Sequence, residues 1–418
     1  MKKILALVLA ALMILSIAAC APAEQKPGTS TGAAGSKEPE AITLKVWGPQ
    51  EDQVDENGWL WKRLKAFEAA HPEYKITWEL GVCSEGDAAT MVTKDVSAAA
   101  DVYMYANDQL GTLMNAEALA QLGGSYLEQV KTDNNATLQS TVTYSDGKVY
   151  GFPYTNNTWF MYYDKSVFTE EDVKSLDTML TKGKVAFPMA NSWYLWAFYA
   201  ANGGTLFGAN GIDAAAGIQL GAGGTDVTKY LVNLMNNENF VYDQDNKLGL
   251  PGLRDGSIKA MFSGSWDAAS VKEALGDNMG AVQLPTITIN GEAKQLKSFA
   301  GSKAIGVNKQ TKHMKAAMEL AAFLSNVESQ KLHYEMRGII PAASVLANDD
   351  AVKSNIVAVA EANTMANTAV GQPVIPEMGN YWTPAGTMGG AIANKDVTLD
   401  NAQEQTELFQ DSLNKTGL

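Results

Sequence analysis

Cysteine and histidine are scarce in this chain of 418 residues, which has two cysteines, Cys20 and Cys83, and three histidines, His71, His313 and His333. The histidines lie on or beside expected helices with no partner at metal or triad spacing, so neither a zinc site nor a nucleophilic triad is expected. Positive charge is also short: 32 Lys and Arg against 46 Asp and Glu give a formal charge of −14. Nucleic-acid binding demands a basic footprint and is excluded on that ground. The longest apolar run, Ile4 to Leu15, is too short for a stable spanning helix. No phosphate loop is present. Asp243-x-Asp245-x-Lys247 starts like a calcium loop but carries Leu248 where the turn needs glycine. Gly28-Thr29-Ser30-Thr31-Gly32 fits the hydrolase pattern G-x-S-x-G, yet no strand precedes it and no helix follows. No repeat of solenoid period occurs. Metal, cofactor and catalytic residues are therefore all expected to be absent.

What is present divides into a leader and a globular remainder. With 46% hydrophobic and 19% charged residues the chain is long enough for two lobes rather than one core. Lys2 and Lys3 before the apolar run read as a secretory signal over residues 1–19. The run closes on Ile17-Ala18-Ala19-Cys20, which resembles the bacterial lipobox and makes Cys20 the expected lipidation site. Removing residues 1–19 takes away two lysines and no acid, moving the charge from −14 to −16. Cys83 is then alone and reads as a buried, inert thiol. Residues 20–40, rich in Ala, Pro, Gly, Ser and Thr, form a tether reaching on the order of 25 Å.

From residue 41 the pattern alternates. Ile42–Trp47 is a strand, a helix runs through Leu60, Leu64 and Phe67 to His71-Pro72, Tyr74–Leu80 is a strand, 88–100 a helix and 101–106 a strand. That order demands a parallel sheet with helices on its faces, and ligands on such sheets sit at the strands' carboxyl ends. Asp52, Tyr105 and Asp108 fall there. The alternation restarts with a strand at 184–189, helices at 193–201 and 228–236, and strands at 258–262 and 280–284. A hairpin turning at Asn290-Gly291 follows. Phe299–Val307 reads as a return crossing, and helices follow at 314–324, 328–337, 352–366 and 400–414. Between the two halves, Lys148–Phe152 and Trp159–Tyr163 read as strands separated by polar Thr155-Asn156-Asn157-Thr158. On these residues alone a hairpin edge and a passage between two sheets are equally compatible.

Several stretches resemble the bacterial extracellular solute-binding proteins of the maltose-binding type, over essentially all of residues 41–418. They are the strand with Trp47 and its acidic loop, Asp101–Asp108, Asp146–Pro153 with Tyr162–Lys165, Gly264-Ser-Trp266, Ser325 with Glu328, Gln330, Arg337-Gly338 and Pro341-Ala342, and Tyr381-Trp382. The resemblance makes 146–165 an interlobe crossing. It implies an α/β, two-lobed periplasmic-binding fold (type II-like), each lobe a sheet flanked by helices. The lobes would be 41–155 plus 304–350 and 156–303 plus 351–418. It also places Trp193, Trp266 and Trp382 at sugar-stacking positions. Around them Gln50, Glu51, Asp52, Tyr105, Asp108, Asn157, Asn191 and Tyr381 are the implied contacts, with Gln109 where relatives carry an arginine. A pyranose has apolar C–H faces and a hydroxyl rim, so aromatic faces with carboxylates and amides suit it. Each tryptophan has core packing as its alternative, and Trp47, inside a strand, reads as core.

The resemblance implies a malto-oligosaccharide ligand, ABC transporter permeases as partners, and a monomer anchored by lipid to the extracellular face of the cytoplasmic membrane. The alternative is a surface glycan-binding or glycan-degrading lipoprotein without a transporter. Hydrolysis would need two carboxyls about 5–10 Å apart, for which Glu51, Asp52, Asp108 and Asp267 are the candidates.

Overall fold

The opening strand β1 (Glu40–Gly48) alternates exposed Ala41 and Thr43 with buried Ile42, Leu44 and Val46, as the period of a strand requires. The computed structural model describes residues 38–209, 211–244 and 247–415. The expected signal, Cys20 and nearly all of the tether lie outside the described residues, and Pro39–Leu418 forms one compact unit.

Helix α1 (Trp59–Ala70) buries Leu60, Leu64 and Phe67 on one face and ends at His71, before Pro72. It returns the chain to β2 (Tyr74–Val82), parallel to β1. Beyond, the expected helix over 88–100 is helical only from Ala88 to Val92. Asp95 bonds the amides of Ser97 and Ala98, an Asx-type turn that competes with helix continuation. Strand β3 (Val102–Ala106), parallel to β1, is buried at every residue.

The crossing stretch departs from its sequence reading. Of the expected strand Lys148–Phe152, residues 148–151 make only an isolated bridge, Thr143 to Val149. The strand β4 (Phe152–Asn157) instead includes polar Thr155, Asn156 and Asn157, and the break falls at Thr158-Trp159 before β5 (Phe160–Asp164). Polar residues hold strand geometry here because their backbone pairs across to residues 301–305. Pro153 is tolerated because β4 has a strand on one side only, with no more than the Thr155–Pro341 bridge on the other, and the ladder is irregular beside it.

The second sheet is made from β5, β6 (Val185–Phe187), β7 (Phe240–Tyr242), β8 (Ala260–Ser263) and β9 (Met279–Val282), in the order β9-β5-β8-β6-β7. Its helix α2 (Ser192–Ala201) presents buried residues all round. The expected hairpin forms over 286–295, with Asn290 and Gly291 both at positive φ, the backbone a two-residue turn needs.

Strand β10 (Ser298–Val307) then returns the chain, pairing antiparallel with β3 on one side and β4 on the other. The first sheet thus reads β11-β10-β3-β1-β2, where β11 (Ala369–Gly371) pairs with Ser298–Ala300. Helices α3 (Met314–Leu324) and α4 (Val327–Arg337) follow. The expected single helix over 352–366 is two, because Asn355 caps a new one, α5 (Ile356–Asn367). Helix α6 (Gly379–Ala393) has no counterpart among the sequence expectations: four glycines and Pro384 hide its period.

Each sheet has its own core. Trp59, Leu60 and Phe67 pack on the first, Trp159, Phe187 and Tyr194 on the second. Burying one such side chain stabilises by roughly 1.5–3 kcal/mol. No helix among the described residues is long and apolar enough to cross a membrane.

Candidate functional site

Strands β1, β2, β3 and β8 each run into a short turn at or just beyond their carboxyl ends, at 50–52, 85–87, 107–109 and 265–267. Acidic residues sit in all four. A cavity of about 290 Å³ opens between three of these turns, bringing the two sheets to one site. The first sheet's side supplies Glu51, Asp52 and Glu85, the second's Ser265, Trp266 and Asp267. Tyr154, Thr155 and Asn156 of β4, Lys303 of β10, and His333 and Arg337 of α4 complete the wall.

Asp52 is only 1% exposed. One of its oxygens accepts from His333 Nε2 at 2.9 Å and from Arg337 at 3.1 Å, while Oδ2 has no partner. Burial pushes the carboxyl up, but His333, and then Arg337 and Lys303, outweigh it and hold Asp52 below its usual range. Beside it Glu85 accepts from the Tyr154 hydroxyl at 2.6 Å and pairs with Lys303 at 3.3 Å. The Lys303 ammonium also lies 5.8 Å from the centre of the Trp266 ring. Trp266 itself is 37% exposed and tilts against Trp193, centroids 6.0 Å apart. Asp267 accepts from Ser263 at 2.5 Å, and burial pushes its carboxyl up.

Of the residues expected at the site, Glu51, Asp52 and Trp266 line this cavity together. The Trp193 indole donates to Gln372 at 2.8 Å, and Gln109 donates to Asp108 at 3.1 Å. Burial raises Asp108, with the Gln109 and Gln372 amides pulling the other way. Asn191 caps α2 through the Trp193 amide. Asn157 stands opposite Gly301, and Gln50 is exposed at the start of its turn. Trp382 is half-buried against Phe299 and Tyr381.

Two expected contacts are corrected. Tyr105 has no exposed surface, because every residue of β3 is covered on both faces, and its hydroxyl turns to the Tyr150 carbonyl at 3.5 Å. Tyr381 is equally buried on α6 and donates to the Ser192 carbonyl at 2.8 Å. Trp47, read as core, packs against the first sheet's core while half-buried, with its ring laid on Gly81.

The histidines also differ from expectation. His333 pairs with Asp52, its ring stacks on Trp59 at 4.3 Å and faces Tyr154, and its Nδ1 has no hydrogen-bond partner among the described residues. His71, Glu73 and Glu319 bring ligand atoms within 4.8 Å of one another. Glu319, however, already pairs with Lys315 at 2.6 Å and accepts from Tyr74 at 2.8 Å, so an ammonium supplies the cation there. Cys83 is buried, its thiol pushed up to about 11 by burial and then by Asp87 and Glu85, as an inert thiol should be.

Sequence reasoning missed Glu85, Lys303, His333 and Arg337 as wall residues. The one signal that could have found them is Gly301-Ser-Lys303 within an otherwise apolar crossing: a buried strand does not carry a lysine without a partner.

Residues 62–361 match the family described as bacterial extracellular solute-binding protein. The galactooligosaccharide-binding protein of Bacillus subtilis (strain 168) is 28% identical, over 96% of this chain and 96% of that protein. A maltooligosaccharide ABC transporter solute-binding lipoprotein of Streptococcus pneumoniae is 27% identical over 99% and 97%. Among solved structures, one described as being with acarbose is 50% identical, with a TM-score of 0.87 over 90% of this chain and 99% of that one. A maltodextrin-binding protein from L. casei BL23, solved without ligand, is 26% identical, with a TM-score of 0.80 over 90% of this chain and 100% of that one.

Proposed function

Because this chain belongs to the bacterial extracellular solute-binding family, we propose that it binds an α-linked gluco-oligosaccharide in the cavity between its two sheets and delivers it to an ABC importer. The observation that carries this reading is the half-open Trp266 ring standing over a cavity walled by hydrogen-bonding groups from both sheets. An indole face covers the C–H face of a pyranose, while the exposed Glu51 carboxylate, the Lys303 ammonium and the Arg337 guanidinium can meet its hydroxyl rim. Glu51 and Asp52 are first-rank contacts. Trp193, Trp382, Asp108, Gln109, Gln50, Asn157 and Asn191 are assigned to the longer cleft that a chain of several sugars would occupy.

The chain works as a binder, not as an enzyme. Asp52, held ionised by His333 and Arg337, is a poor proton donor, and Glu85 is already committed to Tyr154 and Lys303. The lobes are assigned as 41–155 plus 304–350 and 156–303 plus 351–418, joined at β4 and β10. Cys20 is the lipid site of a monomer held at the outer face of the membrane. Changing Cys20→Ala should release the protein or leave it unprocessed, and an anchored, processed variant removes that assignment.

Calorimetry with maltotriose, maltotetraose, acarbose and a galacto-oligosaccharide tests the ligand. Binding of the α-glucans, with weaker or no binding of the galactoside, supports the reading; binding of the galactoside alone overturns it. A galactoside is the second reading because of the Bacillus subtilis relative. Shortened products from maltoheptaose would establish an enzyme instead.

A further inference from the structure

Behind the cavity lies a carboxyl group that the site described so far does not use. Glu361, on α5, has no exposed surface, and neither of its oxygens closes a hydrogen bond. A buried carboxylate left in that state costs several kcal/mol, so the group must either be neutral or find a countercharge. Helix α5 packs on β5, on β9 and on the turn 265–267 that carries Trp266. Beside the carboxyl stand the Ser265 hydroxyl from that turn and the Asn156 amide from β4, and Lys303 of β10 is close enough for its charge to be felt. Tyr162 of β5 also faces it, but donates its hydroxyl to the Gly264 carbonyl at 2.9 Å. Asp267, on the same turn, is held by Ser263. Strands β9 and β11 bring no titratable side chain against α5, and Asp350 and Lys353 of the short helix before it are exposed.

We propose that Glu361, in its neutral form, is a positioning residue that braces the Trp266 turn against the Asn156 strand and so sets the sugar platform. This rests on reading the cavity as the sugar site. A neutral carboxyl carries one O–H donor and one acceptor oxygen, and can lie between a hydroxyl and an amide from two different elements. Losing the proton to solvent leaves an acceptor-only anion. Its nearest cation is Lys303, which already pairs with Glu85 and stands by the Trp266 ring. Ionisation therefore draws Lys303 away from the platform and loosens the turn. Burial raises the carboxyl to about 7, opposed by Ser265, Asn156 and Lys303, so this change falls within the neutral range.

The test follows maltotriose affinity calorimetrically in wild type and E361Q from about pH 6 to about pH 8.5, alongside acrylamide quenching of ligand-free wild type and W266F. Wild type should bind about tenfold more weakly at the alkaline end, one ionisation step's worth, while E361Q holds its affinity throughout. The Trp266 contribution to fluorescence, wild type minus W266F, should become more quenchable as the pH passes 7. A flat wild-type profile, or the same slope in E361Q, overturns the proposal and leaves the sugar reading intact. If neither maltotriose nor maltotetraose binds at any pH, the α-glucan reading falls, and the quenching comparison alone decides whether Glu361 positions the turn.

Discussion

Truncating Trp266 to alanine separates a sugar platform from a core residue. The side chain is 37% exposed, and its covered part leans on Trp193 and lies over Gly264, where any Cβ would run into the ring. Aromatic side chains present up to about 250 Å², so the open part amounts to about 90 Å². Covering that area with a sugar face at about 25 cal/mol per Å² contributes about 2.3 kcal/mol, or roughly fiftyfold in Kd. The folding cost should be smaller than the roughly 3–5 kcal/mol of a fully buried tryptophan such as Trp159, because little cavity is left behind. The assay is a pair of measurements, maltotriose calorimetry and a thermal melt, on W266A with W159A as the contrast. W266A should lose affinity and keep most of its melting temperature, and W159A should lose stability. A W266A protein that melts early and binds like wild type refutes the reasoning.

Other perturbations reach different parts of the same architecture. Asp52→Asn removes the carboxylate that half-buried Arg337 and buried His333 bond to and should cost about 1–3 kcal/mol near neutral pH, read by denaturant melts. Because the folded Asp52 is depressed below 3.8, its contribution is present above that value and fades as pH falls through the folded one, so the wild-type advantage over D52N should vanish in acid. Asn156→Pro locks a torsion and removes a backbone donor in the crossing strand. It should weaken binding while circular dichroism stays native, and wild-type scattering profiles should contract on adding ligand. Identical free and bound profiles despite tight binding would contradict closure about β4 and β10. Gly301→Ala drives a methyl into the Asn107 amide, which itself accepts from the Ser302 N–H, and should cost about 1–3 kcal/mol in a melt.

The parts of the fold that read correctly from sequence are those whose cause is local. Ile42, Leu44 and Val46 alternate, and Asn290-Gly291 demands a tight turn. Where a competing local bond or a poor composition intervened, reading failed, as at the Asp95 turn and in glycine-rich α6. The site was legible only where its residues follow a strand: Asp52 after β1, Trp266 after β8. Its basic wall residues were hidden because Asp52 and His333 lie 281 positions apart, and nothing in either neighbourhood announces the other. Tyr105 failed for the opposite reason, since strand-end position alone does not say which faces are covered.

The pairing of β10 between β3 and β4 also sets an order of assembly. All five strands of the second sheet come from one uninterrupted segment, 160–282, so that sheet can close as soon as its own chain exists. The first sheet cannot: β3 ends at Ala106, and its neighbour begins only at Ser298. Closing so long a loop adds only slowly to the entropy cost, about 0.6 kcal/mol per doubling, but contacts of such separation slow folding markedly. Until β10 docks, β3 keeps an open edge that can pair wrongly. Pulse-labelled hydrogen exchange should accordingly find amides of β5 and β8 protected before those of β3, which makes the docking of β10 the step that commits the whole molecule to its native form.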